Sequence, residues 1–277
     1  MPRLVRVYTE NNDFQYVETL RRNRQKRHQS RQFVVEGVRQ INQALAQHWT
    51  IDALLYARER HLSDWARDIL ARADASSHIE LPGPLLAKLS AKDETSELMA
   101  LVAMPDDEIS RIPITQNPRV VIFDRPASPG NLGTIIRSCD ALGIDGMIIT
   151  GHAVDLYDPE TISATTGSFF ALPIVRLADP KELLPWIDQL RRRVDPLTIV
   201  GSSAEGTITA WAHDFSQPTI LVIGNETWGM SEFFRELCDV IVSIPIQGSA
   251  TSLNVASATS ILLYEIERQR LTRRPTQ

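Results

Sequence analysis

Three short segments place glycine, amide, carboxylate and guanidinium groups directly after apolar runs, where a buried strand would end. In the first, Val120-Val121-Ile122-Phe123 leads into Asp124-Arg-Pro-Ala-Ser-Pro-Gly-Asn131-Leu-Gly133-Thr-Ile-Ile-Arg137. Pro129 and Gly130 predict a turn and Asn131 a helix N-cap. Arg137, almost two helical turns on, could grip a phosphate or carboxylate; a capped helix bearing a surface arginine accounts for the same residues.

In the second, Ile220-Leu-Val-Ile runs straight into Gly224-Asn225-Glu226-Thr-Trp-Gly229-Met-Ser231. Glycine lets main chain approach a ligand closely. Glu226 is costly to bury unless paired or hydrogen-bonded, so it is either a site carboxylate or a helix cap, and Ser231 is the expected cap of the next helix. In the third, Val240–Pro245 gives way to a small-residue loop, then Ser252-Leu253-Asn254. Ser252 is the expected cap, with the Asn254 amide in the first turn of the following helix.

Together the three junctions describe one composite pocket for a nucleotide-like ligand. Neither G-x-x-x-x-G-K-[ST] nor G-x-G-x-x-G occurs, so a phosphate-cradling P-loop and a conventional dinucleotide fingerprint are both unsupported. Cysteine and histidine spacing gives no metal site.

The elements around these segments alternate between strand and helix patterns. Strands are expected at Met147–Ile149, Leu172–Leu177, Leu197–Val200, Ile220–Ile223 and Val240–Ile244, and a helix at Leu253–Glu267. This predicts a mainly parallel sheet covered on both faces, with ligands beyond the carboxyl ends of its strands. Upstream, Phe33–Val35, Ile51–Tyr56, His78–Leu81 and Leu98–Met104 read as strands of a smaller α/β unit. Pro105–Pro118 suits a linker. The division expected is 1–112 and 113–277.

Of the 277 residues, 43% are hydrophobic and 23% charged, ordinary for a globular chain. No apolar run is long enough to cross a bilayer, and the opening residues lack a signal peptide's apolar stretch, so a cytoplasmic protein is expected. Cys139 and Cys238 fit reduced, buried thiols. Against a net charge of −5, residues 21–31 hold six Lys or Arg and no acid. Arg21, Arg22, Arg24, Lys26 and Arg27 could therefore neutralise an RNA backbone, or form a solvated surface segment.

The three segments, taken in order, resemble the signature motifs of the SpoU (TrmH) branch of the SPOUT RNA methyltransferases. They match as N-x-G-x-x-x-R at Asn131–Arg137, G-N-E-x-x-G at Gly224–Gly229, and I-P-x-x-G-S-x-x-S-L-N at Ile244–Asn254. The resemblance extends over essentially the whole chain. Phe33-Val-Val-Glu36-Gly37-Val-Arg39 resembles the entry to the family's N-terminal RNA substrate-binding domain. Phe123–Asn131 and Tyr157-Asp-Pro resemble members that act on large-subunit rRNA and confer antibiotic resistance.

The resemblance implies an α/β protein with a SPOUT-type knotted C-terminal domain, acting as a homodimer with its active site near the subunit interface. It implies S-adenosylmethionine as cofactor, held by main chain at Gly224, Ile244 and Leu253 with Asn225 beside them. It implies methyl transfer to a ribose 2′-hydroxyl, with Arg137 central and Asn131, Glu226 and Asn254 positioning the parts. Because guanidinium stays protonated, Arg137 is better suited to binding the adjacent phosphate and stabilising charge on the 2′-oxygen than to acting as a base. His152 is a conceivable base or a simple loop residue. Ala256 and Thr166 stand where the family often has serine. A tRNA substrate and a catalytically silent RNA-binding module are the competing readings.

Overall fold

The computed structural model describes residues 2–273. It divides into two compact units, Met1–Asp106 with Asp155–Ala171, and Asp107–Val154 with Leu172–Gln277.

The first unit contains β1 (Arg3–Arg6), α1 (Asn12–Arg22), α2 (Arg24–Ser30), β2 (Gln32–Glu36), α3 (Val38–Ala46), β3 (Ile51–Ala57), α4 (Asp64–Arg72), β4 (Ser77–Leu81), α5 (Gly83–Leu89) and β5 (Leu98–Ala103). Its sheet has the order β1-β4-β3-β5-β2, with β5 antiparallel to both neighbours and the remaining pairs parallel. The expected strands are all present, and β1 is an addition: its pattern is mostly exposed, so no apolar alternation marks it. Leu55, Met99 and Leu101 meet Phe14, Val17 and Leu20 of α1 in the core.

The basic run is helical. Asn11 caps α1 through the Phe14 amide and Asn23 caps α2 through the Lys26 amide, each side-chain oxygen satisfying a free N–H. Arg27 points inward and is only 2% exposed. Its Nε donates to Asp155 Oδ2 at 2.8 Å, Nη1 to the Leu20 and Arg21 carbonyls at 2.9 Å, and Nη2 to Asp158 at 3.2 Å.

This ion pair explains why residues 155–171 belong to the first unit rather than, as a single cut at 112/113 has it, to the second. The segment forms α7 (Pro159–Thr165) and α8 (Ser168–Ala171). Tyr157, Phe169 and Phe170 surround Phe33 with ring centroids 5.0, 5.7 and 6.4 Å away, and Trp49 donates to the Phe170 carbonyl at 3.0 Å. Buried aromatic area of this kind supplies a large share of the packing energy.

The second unit contains β6 (Arg119–Asp124), α6 (Pro129–Ala141), β7 (Gly146–Thr150), β8 (Ile174–Leu177), α9 (Leu184–Arg193), β9 (Thr198–Ser202), β10 (Ile208–Thr209), β11 (Thr219–Ile223), α10 (Glu232–Leu237), β12 (Val240–Ser243) and α11 (Val255–Arg273). Its seven strands run in the order β10-β12-β9-β11-β6-β7-β8, every pair parallel, as the alternating pattern predicts. β7 and β11 are buried at every residue, the mark of a sheet covered on both faces. Residues expected to be linker are partly structural, since Ile112 is buried in this unit's core. Among the described residues, no helix is long and apolar enough to cross a membrane.

Burial alone would raise the Asp155 carboxyl, but its bonds to Arg27, with His28 and the Tyr157 amide, hold it below the usual carboxylate range. A depressed carboxyl stabilises the fold above its unfolded value of about 4 and loses that contribution as pH falls. Asp155→Asn should therefore cost about 3–5 kcal/mol at pH 7, because it strands a buried guanidinium. The deficit should shrink as denaturation is measured below about pH 4. Equal stability of both proteins at neutral pH would show that the pair is dispensable.

Candidate active site

The loops that follow β9, β11 and β12 enclose one pocket. A carboxylate joins the β11 loop to the loop after β6. Glu226 Oε2 accepts the Ala127 N–H at 2.9 Å, and Oε1 accepts the Ser128 N–H at 3.0 Å and the Asn131 side-chain amide at 3.3 Å. Asn131 Oδ1 in turn accepts from the Asn254 amide at 3.0 Å. One chain of hydrogen bonds thus joins all three polar junctions of the sequence.

Two capping roles differ from expectation. Ser128, not Asn131, caps α6, and its hydroxyl accepts from the Asn131 N–H. Asn131, freed from capping, sits in the first turn and turns its amide to Glu226 and Asn254. At α11 the cap is Asn254 rather than Ser252: its Oδ1 accepts the Ala256 and Ser257 N–H groups at 2.8 and 3.3 Å. Ser231 does stand at the start of α10 but makes no side-chain cap bond. Its N–H goes instead to Asp124 Oδ2 at 2.7 Å.

Asp124 and Arg125 are functional framework that sequence reasoning leaves unassigned. Buried at the end of β6, Asp124 receives both Nε and Nη2 of Arg125 at 3.0 and 2.9 Å, and Arg125 Nη2 reaches on to the Gly229 carbonyl at 3.2 Å. The available signal is an acid closing a fully apolar strand, which demands a partner.

The segment 225–229 is closed on itself. Asn225 and Gly229 exchange two backbone hydrogen bonds of 3.0 Å, and Gly229 adopts φ +67°, which favours glycine. Asn225 Oδ1 accepts the Thr227 and Trp228 N–H groups, and its Nδ2 donates to the Arg125 carbonyl at 2.6 Å. Gly224 is needed for a different reason: a Cβ there would lie 2.2 Å from Met230 N and 2.4 Å from the Gly229 carbonyl carbon.

The pocket these loops make has a volume of about 410 Å³, within the range of small-molecule sites. Its lining includes all four residues expected to hold a cofactor, Gly224, Asn225, Ile244 and Leu253, together with Glu226. Aliphatic side chains at Ile223, Ile244 and Ile246 face main-chain-rich turns at 202–205 and 224–229, a combination suited to a flat heterocycle with a polar rim. Asn131 and Asn254 join the site through the bond chain. Arg137 is not brought to the pocket of its own chain. It is exposed on α6 and, among the described residues, makes no hydrogen bond or ion pair. His152 is exposed in the loop after β7. Among the described residues there is no cluster of His, Cys, Asp and Glu suited to a metal ion.

The model of the SpoU rRNA methylase family matches residues 118–264, and that of the SpoU L30e-like domain matches residues 11–100. The chain belongs to the SpoU rRNA methylase family. A family relative, the 23S rRNA (uridine(2479)-2′-O)-methyltransferase of Streptomyces viridochromogenes, is 45% identical over 99% of this chain and 95% of its own. The SpoU methyltransferase AviRb of the same organism, solved with AdoMet, superposes with a TM-score of 0.91 at 45% identity, over 95% of this chain and 100% of that one. An AdoMet-bound rRNA methyltransferase from Sinorhizobium meliloti gives 0.84 at 28% identity, over 96% and 98%.

In this SpoU chain the basic candidates separate into different roles. Arg27 is withdrawn from any RNA surface, since each of its nitrogens is already bonded inside the fold. Arg21 is half-buried with Nη1 on the Lys88 carbonyl at 3.1 Å, and Lys26 lies 5.5 Å over the Tyr16 ring. Arg22 pairs with Glu18 across one helical turn, and both it and Arg24 are exposed. The helix spacing that buries position 27 while exposing 22 and 24 is invisible to a count of charges.

Gly224→Ala tests the pocket's construction. The added methyl would collide with backbone that cannot retreat without opening the 225–229 turn, so the loss should exceed the roughly 1–3 kcal/mol of ordinary overpacking. S-Adenosylmethionine binding, measured by calorimetry, should fall with it; a variant of unchanged stability and affinity would show that the turn is not held as described.

Proposed function

We propose that this protein transfers a methyl group from S-adenosylmethionine to a ribose 2′-hydroxyl in 23S rRNA. The observation that carries the reading is the Glu226–Asn131–Asn254 chain, which brings the three motif loops together beside a pocket lined by Gly224, Asn225, Ile244 and Leu253. The 23S rRNA target follows the activity of the Streptomyces viridochromogenes relative.

S-Adenosylmethionine, when bound, supplies a methyl group on a sulfonium sulfur, open to attack by an oxygen nucleophile. Main chain at Gly224, Ile244 and Leu253 would hold the cofactor, with Asn225 fixing the turn around it. Glu226 is a positioning residue: by taking the Ala127 and Ser128 N–H groups it sets the entry to α6 and the direction of Asn131. Arg137 binds the phosphate next to the target ribose and stabilises negative charge developing on its 2′-oxygen, remaining protonated throughout. Alignment of nucleophile and methyl group supplies much of the acceleration.

Arg137 stands outside the lining of its own chain's pocket, which favours a homodimer in which a second copy completes the site. On α11 the exposed apolar residues Ile261, Tyr264 and Leu271 recur on one helix face and offer such a contact. The trefoil knot of the SPOUT fold and a substrate-binding role for the first unit belong to the same reading, as does a cytoplasmic location beside the ribosome. A methyl mark on the large subunit could also protect it from a bound drug, which growth of strains with and without the gene would read out.

The experiment is transfer of labelled methyl to purified 23S rRNA and tRNA, with mapping of the modified ribose. One 2′-O-methyl site on 23S rRNA is expected. Methylation of tRNA alone would move the substrate, and no transfer with intact RNA binding would make the chain a silent RNA-binding module. Arg137→Ala should lower turnover by at least two to three orders of magnitude, the scale of losing one charge-stabilising donor, with cofactor affinity retained. Full turnover by that variant would remove Arg137 from the mechanism.

For the RNA surface, Arg22→Gln with Arg24→Gln should weaken RNA binding and reduce the slope of log K against log salt by roughly 0.7–0.9 for each phosphate no longer neutralised. An unchanged slope would make α1 and the start of α2 an ordinary solvated face.

A further inference from the structure

Trp228 is 78% exposed, the most open of the large apolar side chains described. A lone exposed apolar residue is common on most surfaces. This one stands on a hydrogen-bonded turn and is among the residues that line the pocket. Its own N–H is bonded to Asn225 Oδ1 at 3.0 Å. The next residue, Gly229, is tied to Asn225 by two backbone bonds and to Arg125 by a third. The fold therefore holds the Cα of Trp228 rigidly while leaving the indole uncovered.

That combination is costly unless something covers the ring. A tryptophan has two side-chain torsions, so presenting it from a fixed backbone offers a large flat face for little further loss of entropy. We infer that Trp228 is a stacking platform for a nucleobase of the RNA substrate, splayed out of its helix beside the methyl-transfer site. This inference rests on the RNA methyl-transfer reading and adds to it the group that receives the base.

Placement separates this role from cofactor binding. The same pocket is also lined by Ile223 and Met230, both buried, and by the half-buried Ile244 and Ile246, which would flank a heterocycle held within. An indole open over most of its surface meets what arrives from solvent. RNA recognition of this sort targets unstacked bases, because aromatic faces accept any base and the deep groove of a duplex cannot be read. Stacking also tolerates different bases, so Trp228 would hold the nucleotide in place while other groups choose it.

The test uses the full-length protein, a 23S rRNA fragment and a short single-stranded RNA, read by tryptophan emission and by direct binding. Subtracting the Trp228→Phe spectrum from wild type isolates the emission of Trp228. Both RNAs should quench it, and S-adenosylmethionine alone should leave it unchanged. Trp228→Ala should weaken affinity for the fragment roughly 5- to 150-fold, the span of one base–aromatic stack, with cofactor affinity within about twofold of wild type. Trp228→Phe should recover most of the loss, since a ring is restored. Unchanged RNA affinity in Trp228→Ala would overturn the inference. So would a matching loss of cofactor affinity, which assigns the indole to S-adenosylmethionine, or conversion of a dimer to a monomer, which assigns it to a second copy. A wild-type chain that binds both ligands but methylates no RNA would defeat the methyl-transfer reading, while quenching by the single strand would still report on the stack.

Discussion

The site depends on how one carboxylate is satisfied. Glu226, half-buried in the loop after β11, is held by two main-chain N–H groups of the loop before α6 and by the Asn131 amide. Hydrogen bonds to a charged acceptor are among the stronger ones available to a protein. The same contacts fix the α6 loop to the β11 loop. Through Asn131 they extend to Asn254, which caps α11 with its other face. Three separate pieces of chain thus acquire one geometry, and a pocket built mainly from main chain can keep its shape without a packed core beneath every turn.

The sheet makes that meeting possible. Strands β9, β11 and β6 are adjacent and parallel, so their following loops all leave from one edge of the sheet. β12 pairs with β9 on the far side and brings Ile244 and Ile246 to the same edge. The strand order turns at β6, with β7 on one side and β11, far later in sequence, on the other. Such a reversal is where ligands often settle in parallel sheets; here the pocket lies just to one side of it, at the ends of β11, β9 and β12. Asp124 closes β6 at this point, and its acceptance of Arg125 and the Ser231 N–H joins the β6 loop to the start of α10.

Much of this is legible in the sequence, for identifiable reasons. Fully apolar runs such as Val120–Phe123 and Ile220–Ile223 announce strands buried on both faces, and glycine, amide and acid directly after them announce the site. What stays hidden is partnership. Asn131 and Ser128 are equally good caps on composition, and only the turn at Pro129 decides that Ser128 takes the role. Ser252 and Asn254 differ by two residues, and the start of α11 at Val255 selects the asparagine. The segment 155–171 is beyond reach for another reason. Its attachment to the first unit rests on Arg27 and Phe33, more than a hundred residues away, and no local periodicity encodes that distance.

Arginine shows why residue type alone misleads here. Arg27 and Arg137 are each a plausible anion ligand when read from the sequence, and Arg125 carries no assignment there. Arg27 spends its whole donor set on Asp155, Asp158 and two carbonyls, so it works as a bolt inside the first unit. Arg125 divides its donors between Asp124 and the Gly229 carbonyl and so shapes the turn that carries Trp228. A guanidinium has five donors in a fixed fork and no acceptor, so each bond inside the fold is one fewer for a phosphate. Of the three, Arg137 is the one whose donors the fold leaves unused among the described residues, which is why the proposed reading gives the chemistry to it.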